Sequence, residues 1–136
     1  MAGPLRVGLV GVGQRGLQHV QALVGMQADE MIQITALADP YPENLEDSKI
    51  NKFVDGYSSA GINMFDSADS MIESGLVDAI WFVIPPNQHK GEIERAAERG
   101  IAILAEKPQS LYLDDIISQD AAITKAGVPS TVGFQM

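Results

Sequence analysis

Three glycines near the N-terminus limit what this chain can fold into. An apolar run, Leu5 to Val10 (LRVGLV), ends in Gly11-Val12-Gly13-Gln14-Arg15-Gly16. From Gln14 the pattern turns helical, with Leu17, Val20 and Val24 three and four residues apart. A strand that passes into a helix over so few residues needs backbone without side chains at the crossing. Gly11 allows the tight turn, Gly13 leaves room for an anion to approach the backbone, and Gly16 lets helix and strand pack closely. The free N–H groups of the helix, with the positive end of its dipole, face that same space.

Beyond this point strands and helices keep alternating. Ile32 to Ala38 (IQITALA) reads as a second strand, and Tyr41 to Lys52 as a polar helix with Pro42 in its first turn. A loop marked by Gly56, Ser58, Ser59 and Gly61 leads to a short strand at Ile62 to Phe65. Ser67 to Ser74 reads as a short helix closed by Gly75. Asp78 to Ile84 (DAIWFVI) is the strongest strand and stops at Pro85-Pro86. Asn87 then reads as an N-cap, with Ile93, Ala96 and Ala97 on the buried face of a helix ending at Gly100. Ile101 to Ala105 is a fifth strand. Ser110 can cap a last helix with Leu113, Ile116, Ile117 and Ala121 on one side and Gly127 at its end, and Val128 to Phe134 is a sixth strand. Near-continuous apolar strands separated by helices predict a parallel sheet covered on both faces: one doubly wound α/β domain in three layers, α/β/α.

Composition narrows the function classes. The 136 residues include no cysteine, which excludes disulfide scaffolds, thiolate metal sites and cysteine nucleophiles. Eighteen Asp and Glu against nine Lys and Arg give a formal charge of −9. The basic residues are scattered from Arg6 to Lys125, so no nucleic-acid surface is expected. No apolar stretch approaches the roughly 18 residues that span a bilayer, and the glycine-rich start lacks the pattern of a signal peptide. The expectation is a soluble cytoplasmic domain without membrane contact. Asp114, Asp115 and Asp120 lack the arrangement of a metal site, so no metal is expected either.

In doubly wound sheets ligands bind beyond the carboxyl ends of the strands, where the strand order reverses. Four groups fall at such ends. The first is the Gly11–Gly16 turn, whose context of strand before and helix after is that of a dinucleotide site. The second is Asp39, 23 residues past Gly16, where a carboxylate can accept hydrogen bonds from both adenosine ribose hydroxyls and would repel a 2′-phosphate. That favours NAD over NADP, although Asp39-Pro40 is also good turn chemistry. The third is Pro85-Pro86-Asn87-Gln88-His89, a stiffened loop that would run beneath a cofactor's ribose and nicotinamide. His89 can touch ribose or substrate from there, or sit in the first turn of the next helix. The fourth is Glu106-Lys107-Pro108 after the fifth strand. The Lys107 amine can exchange a proton with an alcohol or carbonyl as hydride moves, with Glu106 orienting it; the alternative is an exposed loop pair. The second histidine, His19, reads as structural or solvent-facing.

Taken in order, GLVGVGQRG, ALADP, VIPPNQHKGEIERAAERG and ILAEKPQSL resemble the glucose–fructose oxidoreductase / inositol dehydrogenase (Gfo/Idh/MocA) family, over Leu5 to Phe134. The EKP tripeptide after a PxxH-type loop and helix is more specific than the glycines. The resemblance implies an NAD(P)-binding Rossmann fold, a nicotinamide dinucleotide as partner, and hydride transfer at a hydroxyl or ketone of a sugar, inositol or related polyol. It implies that Lys107 is catalytic and binds substrate beside the nicotinamide, that the Lys107-Pro108 bond is often cis, and that His89 is the family's loop histidine. It assigns Gly11, Val12, Gly13, Gln14, Arg15, Gly16, Asp39, Pro85, Pro86, Asn87, Glu106 and Lys107 to the cofactor site. Family members usually continue into a second α/β domain that supplies the substrate pocket, a further catalytic histidine and the oligomer interface. The chain stops at Met136, about where that domain would begin, so residues 1–136 are expected to form the nucleotide-binding domain of a longer protein, and efficient turnover is not expected of this part alone. Other readings of the same residues are a non-catalytic dinucleotide-binding module (a sensor or pseudoenzyme) and, against the EKP motif, another Rossmann-type nucleotide binder such as a methyltransferase.

Overall fold

A computed structural model describes residues 3–85 and 88–133. Six strands, β1 (Leu5–Val10), β2 (Ile32–Ala38), β3 (Asn63–Phe65), β4 (Ala79–Phe82), β5 (Ala102–Glu106) and β6 (Ser130–Gly133), form one sheet in the order β3-β2-β1-β4-β5-β6. Every neighbouring pair is parallel. The chain builds outward from β1 to β3, then crosses back to lay β4 on the other side of β1. The order therefore reverses between β1 and β4, which places the predicted ligand crevice at the Gly11 turn.

The strands are apolar on both sides because helices cover both faces. Helices α1 (Gln14–Ala28) and α2 (Asp47–Asn51) lie on one face, where Leu17, Val20, Leu23 and Ile50 meet Val7, Leu9, Ile34 and Leu37. On the other, α3 (Ala68–Glu73), α4 (Glu92–Glu98) and α5 (Leu113–Ala126) bring Met71, Ile72, Ile93, Ala96, Ala97, Ala122 and Ile123 onto Val10, Ala36, Ile80 and Ile103. Helix α3 starts at a capping serine: Ser67 Oγ accepts from Ser70 N–H at 3.1 Å. No helix of the described residues is long and apolar enough to cross a membrane.

Several boundaries differ from the sequence reading. The polar stretch after β2 is a 3-10 turn, Pro42–Leu45, and then the short α2, broken at an extended Glu46. Its one buried residue is Ile50, so there is too little apolar face to hold a continuous helix against the sheet. The strongest strand is shorter than its apolar run, ending at Phe82. Helix α4 begins at Glu92 behind Gly91, whose φ is 85°, not behind Asn87, which lies outside the described residues. Ser110 does not cap α5; it accepts from Tyr112 N–H and donates to Asp115.

Helix α5 also turns a different side inward. Ile116 is half-buried as expected, but Leu113 and Ile117 are 70% and 57% exposed. The inner row is completed by Gln119, Ala122 and Ile123, with Gln119 Oε1 accepting from Gln109 Nε2 at 2.6 Å. The helix carries two adjacent apolar rows, and spacing alone does not choose between them. Packing beside α4 does.

Candidate functional site

At the end of β1 the backbone is crowded on one side and open on the other. Gly11 has φ 98°, and a Cβ there would lie 2.1 Å from the carbonyl oxygen of Val83, just past β4. A Cβ on Gly16 would lie 1.9 Å from the carbonyl oxygen of Gly11. Both are backbone atoms that cannot move aside, so these two glycines press the turn against β4 and α1 against the turn. Gly13 is the reverse case: nothing lies within 4 Å of the position a Cβ would take, and its φ of −79° suits any residue. Gly13 is also the N-cap of α1. No side chain caps the helix there, and its first turn holds no acidic residue. Fifteen aligned peptide dipoles thus end in uncompensated N–H groups facing open space, beside exposed Gln14 and Arg15. A diphosphate fits this cradle in charge, in donors and in room.

Asp39 directly follows β2 and is only 5% exposed. Its Oδ2 accepts from Val12 N–H at 2.8 Å and its Oδ1 from Tyr41 N–H at 2.9 Å. The Val12 amide is therefore spoken for by Asp39, and the Val12 side chain is in the core. Asp39 is both the expected carboxylate at the β2 tip and a brace for the glycine turn. Each carboxylate oxygen retains a second lone-pair direction.

At the end of β5 the structure corrects one expectation. Glu106 does not orient the Lys107 amine. Strand alternation turns its side chain to the α1 face, where Oε2 accepts from His19 Nε2 at 2.6 Å and Arg15 Nη2 lies 3.3 Å from Oε1. Burial alone would raise the Glu106 carboxyl, but the hydrogen bonds from His19 and Arg15 outweigh it and hold the group below the usual carboxylate range. Lys107 is exposed at the sheet's edge; its N–H donates to the Gly133 carbonyl at 3.2 Å, and the Lys107-Pro108 bond is cis. His19, read from sequence as structural or solvent-facing, is 18% exposed at its side chain and meets Trp81 edge to face, ring centroids 5.3 Å apart. The available signal was the four-residue spacing of Arg15 and His19, which puts both on one side of α1.

In the loop after β4 the described residue that departs from its expected ligand contact is His89. Pro85 is exposed, and Pro86 and Asn87 lie outside the described residues. His89 does not reach toward a ligand: its side chain is 3% exposed and its Nδ1 pairs with Glu92, the first residue of α4. Glu92 also accepts from Lys90 N–H at 2.6 Å. The pair closes the start of α4 from outside the helix: His89 lies two residues before the N-cap Gly91, not in the first turn. Burial pushes the Glu92 carboxyl up, but the bonds from His89 and from the Lys90 amide hold it below its usual range. A carboxyl held low in the fold stabilises above its unfolded range, and that contribution is lost as pH falls through the folded value. Glu92→Gln is thus expected to cost about 1–3 kcal/mol near neutral pH and to flatten the acid limb of stability, measured by urea unfolding at several pH values.

Of the expected site, the structure brings the glycine turn, Asp39, Glu106 and Lys107 to one edge of the sheet, bridged by Arg15 and His19. Comparison with known proteins identifies the family. Residues 5–134 match the family described as "Oxidoreductase family, NAD-binding Rossmann fold". The chain is 36% identical over 103 residues to the rhizopine catabolism protein MocA of Rhizobium meliloti, covering 76% of this chain and 29% of that protein. It is 28% identical over 130 residues to inositol 2-dehydrogenase of R. meliloti strain 1021, covering 96% and 36%. The WlbA dehydrogenase of Bordetella pertussis, solved in complex with NADH and UDP-GlcNAcA, superposes with a TM-score of 0.78 at 25% identity, over 96% of this chain and 37% of that one. The chain thus spans about a third of the length of these relatives. Because that match covers nearly all of it, the chain belongs to the Gfo/Idh/MocA oxidoreductase family as its NAD-binding Rossmann domain.

Proposed function

We propose that this domain binds NAD in preference to NADP and serves an oxidoreductase that moves hydride between the cofactor and a hydroxyl or ketone of a sugar, inositol or related polyol. The observation that carries the reading is the pairing of an uncapped α1 N-terminus over Gly13 with an exposed lysine, Lys107, at the end of β5 on the same sheet edge. The diphosphate would rest on the turn Gly11–Gly16, with Gln14 and Arg15 beside it. Asp39, at the β2 tip, would take the adenosine ribose through its free lone pairs, and its charge would oppose a 2′-phosphate.

From β2 the dinucleotide would cross the switch point toward β4 and β5, which brings the nicotinamide to Lys107. The bound nicotinamide supplies the hydride acceptor or donor. Lys107 holds the matching proton: its amine takes the hydroxyl proton when an alcohol is oxidised and returns it when a ketone is reduced. His89 would have no direct part and would hold α4 in place through Glu92. The substrate class follows the relatives, among them an inositol 2-dehydrogenase. A second domain, as the longer relatives have room for, would complete the substrate pocket, exclude water and carry a homo-oligomer interface.

Calorimetric titration of the 136-residue chain with NADH and with NADPH tests the cofactor reading. Saturable binding, tighter for NADH, is expected. No binding to the folded chain would overturn it, and tighter binding of NADPH would overturn the role of Asp39.

A further inference from the structure

One half-buried polar cluster joins two parts of the sheet edge that lie 87 residues apart in the chain. His19 stands on α1, one turn beyond Arg15, and its imidazole is held between the perpendicular indole ring of Trp81 and the carboxylate of Glu106. Glu106 is the last ladder residue of β5, opposite Gly133 of β6, and the next peptide donates from Lys107 N–H to the Gly133 carbonyl. Lys107 is therefore approached from both sides. β6 holds its backbone, and α1 holds the residue before it. The helix whose first turn faces the open space over Gly13 also carries the side chain that fixes Glu106. A helix is stiff over one turn, so the anion cradle and the lysine-bearing turn are set at a constant distance from each other.

We propose that His19 is a positioning residue for the nicotinamide half of the cofactor: through Glu106 it locks the turn that presents Lys107 to the helix that receives the diphosphate. This rests on the dinucleotide reading above. The Nε2–H···Oε2 bond is the working part, because the carboxylate accepts it while Trp81 meets His19 through ring packing alone. Arg15 reaches the same carboxylate from a side chain that is 55% exposed, and so constrains it less.

The test separates the two halves of the ligand. The whole chain is titrated with NADH and with ADP-ribose, which has the adenosine, the diphosphate and one further ribose but no nicotinamide. His19→Phe keeps a ring against Trp81 and removes the donor, while His19→Gln keeps an N–H donor. We expect His19→Phe to weaken NADH binding about tenfold and to leave ADP-ribose unchanged, with His19→Gln restoring most of the loss. A change of equal size for both ligands would reduce His19 to a structural residue and overturn the proposal, as would unaltered NADH binding by folded His19→Phe. If His19→Phe does not fold, Glu106→Leu replaces it with the same two outcomes. Wild-type chain that binds neither ligand would instead overturn the dinucleotide reading, and this proposal with it.

Discussion

Gly11→Ala is expected to lose about 3–5 kcal/mol of stability, while Gly13→Ala stays folded and loses its dinucleotide. At residue 11 two penalties add. An alanine would have to hold φ 98°, which L-residues adopt only under strain, and its methyl would overlap the Val83 carbonyl oxygen at 2.1 Å. Neither can relax without parting the β1 turn from β4. Gly16→Ala meets the Gly11 carbonyl at 1.9 Å and should behave similarly. A domain of this size is stable by only about 5–15 kcal/mol, so either change removes a large fraction. At residue 13 the backbone already suits alanine and the space around it is empty. The cost there is that of an N-cap exchange, about 1 kcal/mol at most. The new methyl nevertheless stands where the diphosphate must approach, and affinity for NADH should fall at least about tenfold. Urea unfolding and calorimetry on the same three variants give the two readings. Equal stability losses at positions 11 and 13 would mean that the turn is not shaped as described.

Asp39→Ala should show two effects that must be told apart. Val12 N–H and Tyr41 N–H lose their acceptor, and Val12 is fully buried. Leaving such donors unpaired costs about 1–3 kcal/mol each when no water replaces the acceptor. The Val12 amide is part of the glycine turn, so NADH binding weakens through distortion of the cradle even if Asp39 never touches a ribose. The ratio of the two cofactors isolates the direct contact. A distorted cradle weakens NADH and NADPH equally, because both share the diphosphate. A lost ribose contact weakens NADH alone and at the same time relieves the repulsion of the 2′-phosphate. We therefore expect the preference for NADH to shrink or reverse in Asp39→Ala. A constant ratio with both affinities reduced would make Asp39 a brace and nothing more.

The double role of Asp39 shows where reading the sequence reached and where it stopped. An acid at the end of the second strand is legible from spacing alone. Its bond to Val12 is not, because the two residues are 27 apart and meet only once β1 and β2 pair. The same holds for His89. Its place after the fourth strand suggests a ligand contact, yet the fold turns it inward onto Glu92. A histidine three residues before a glutamate at a helix start offers the backbone a local pairing, and the buried site at the head of α4 takes that option. Helix α5 carried two apolar rows of similar weight, and the row chosen to face outward contains Leu113 and Ile117.

Local chemistry and period account for six parallel strands, the helices between them, the glycine turn and the lysine at the edge. Alternation, apolar runs and glycine positions are one-dimensional signals, since each reflects the conformations open to a few neighbouring residues. What the tertiary structure alone decided is which distant groups share a partner. Glu106 could have paired with its neighbour Lys107, with solvent, or across the sheet. It pairs with His19 and Arg15 because the β1–β4–β5 order brings the start of α1 over the end of β5, and a half-buried carboxylate must find donors wherever the fold supplies them.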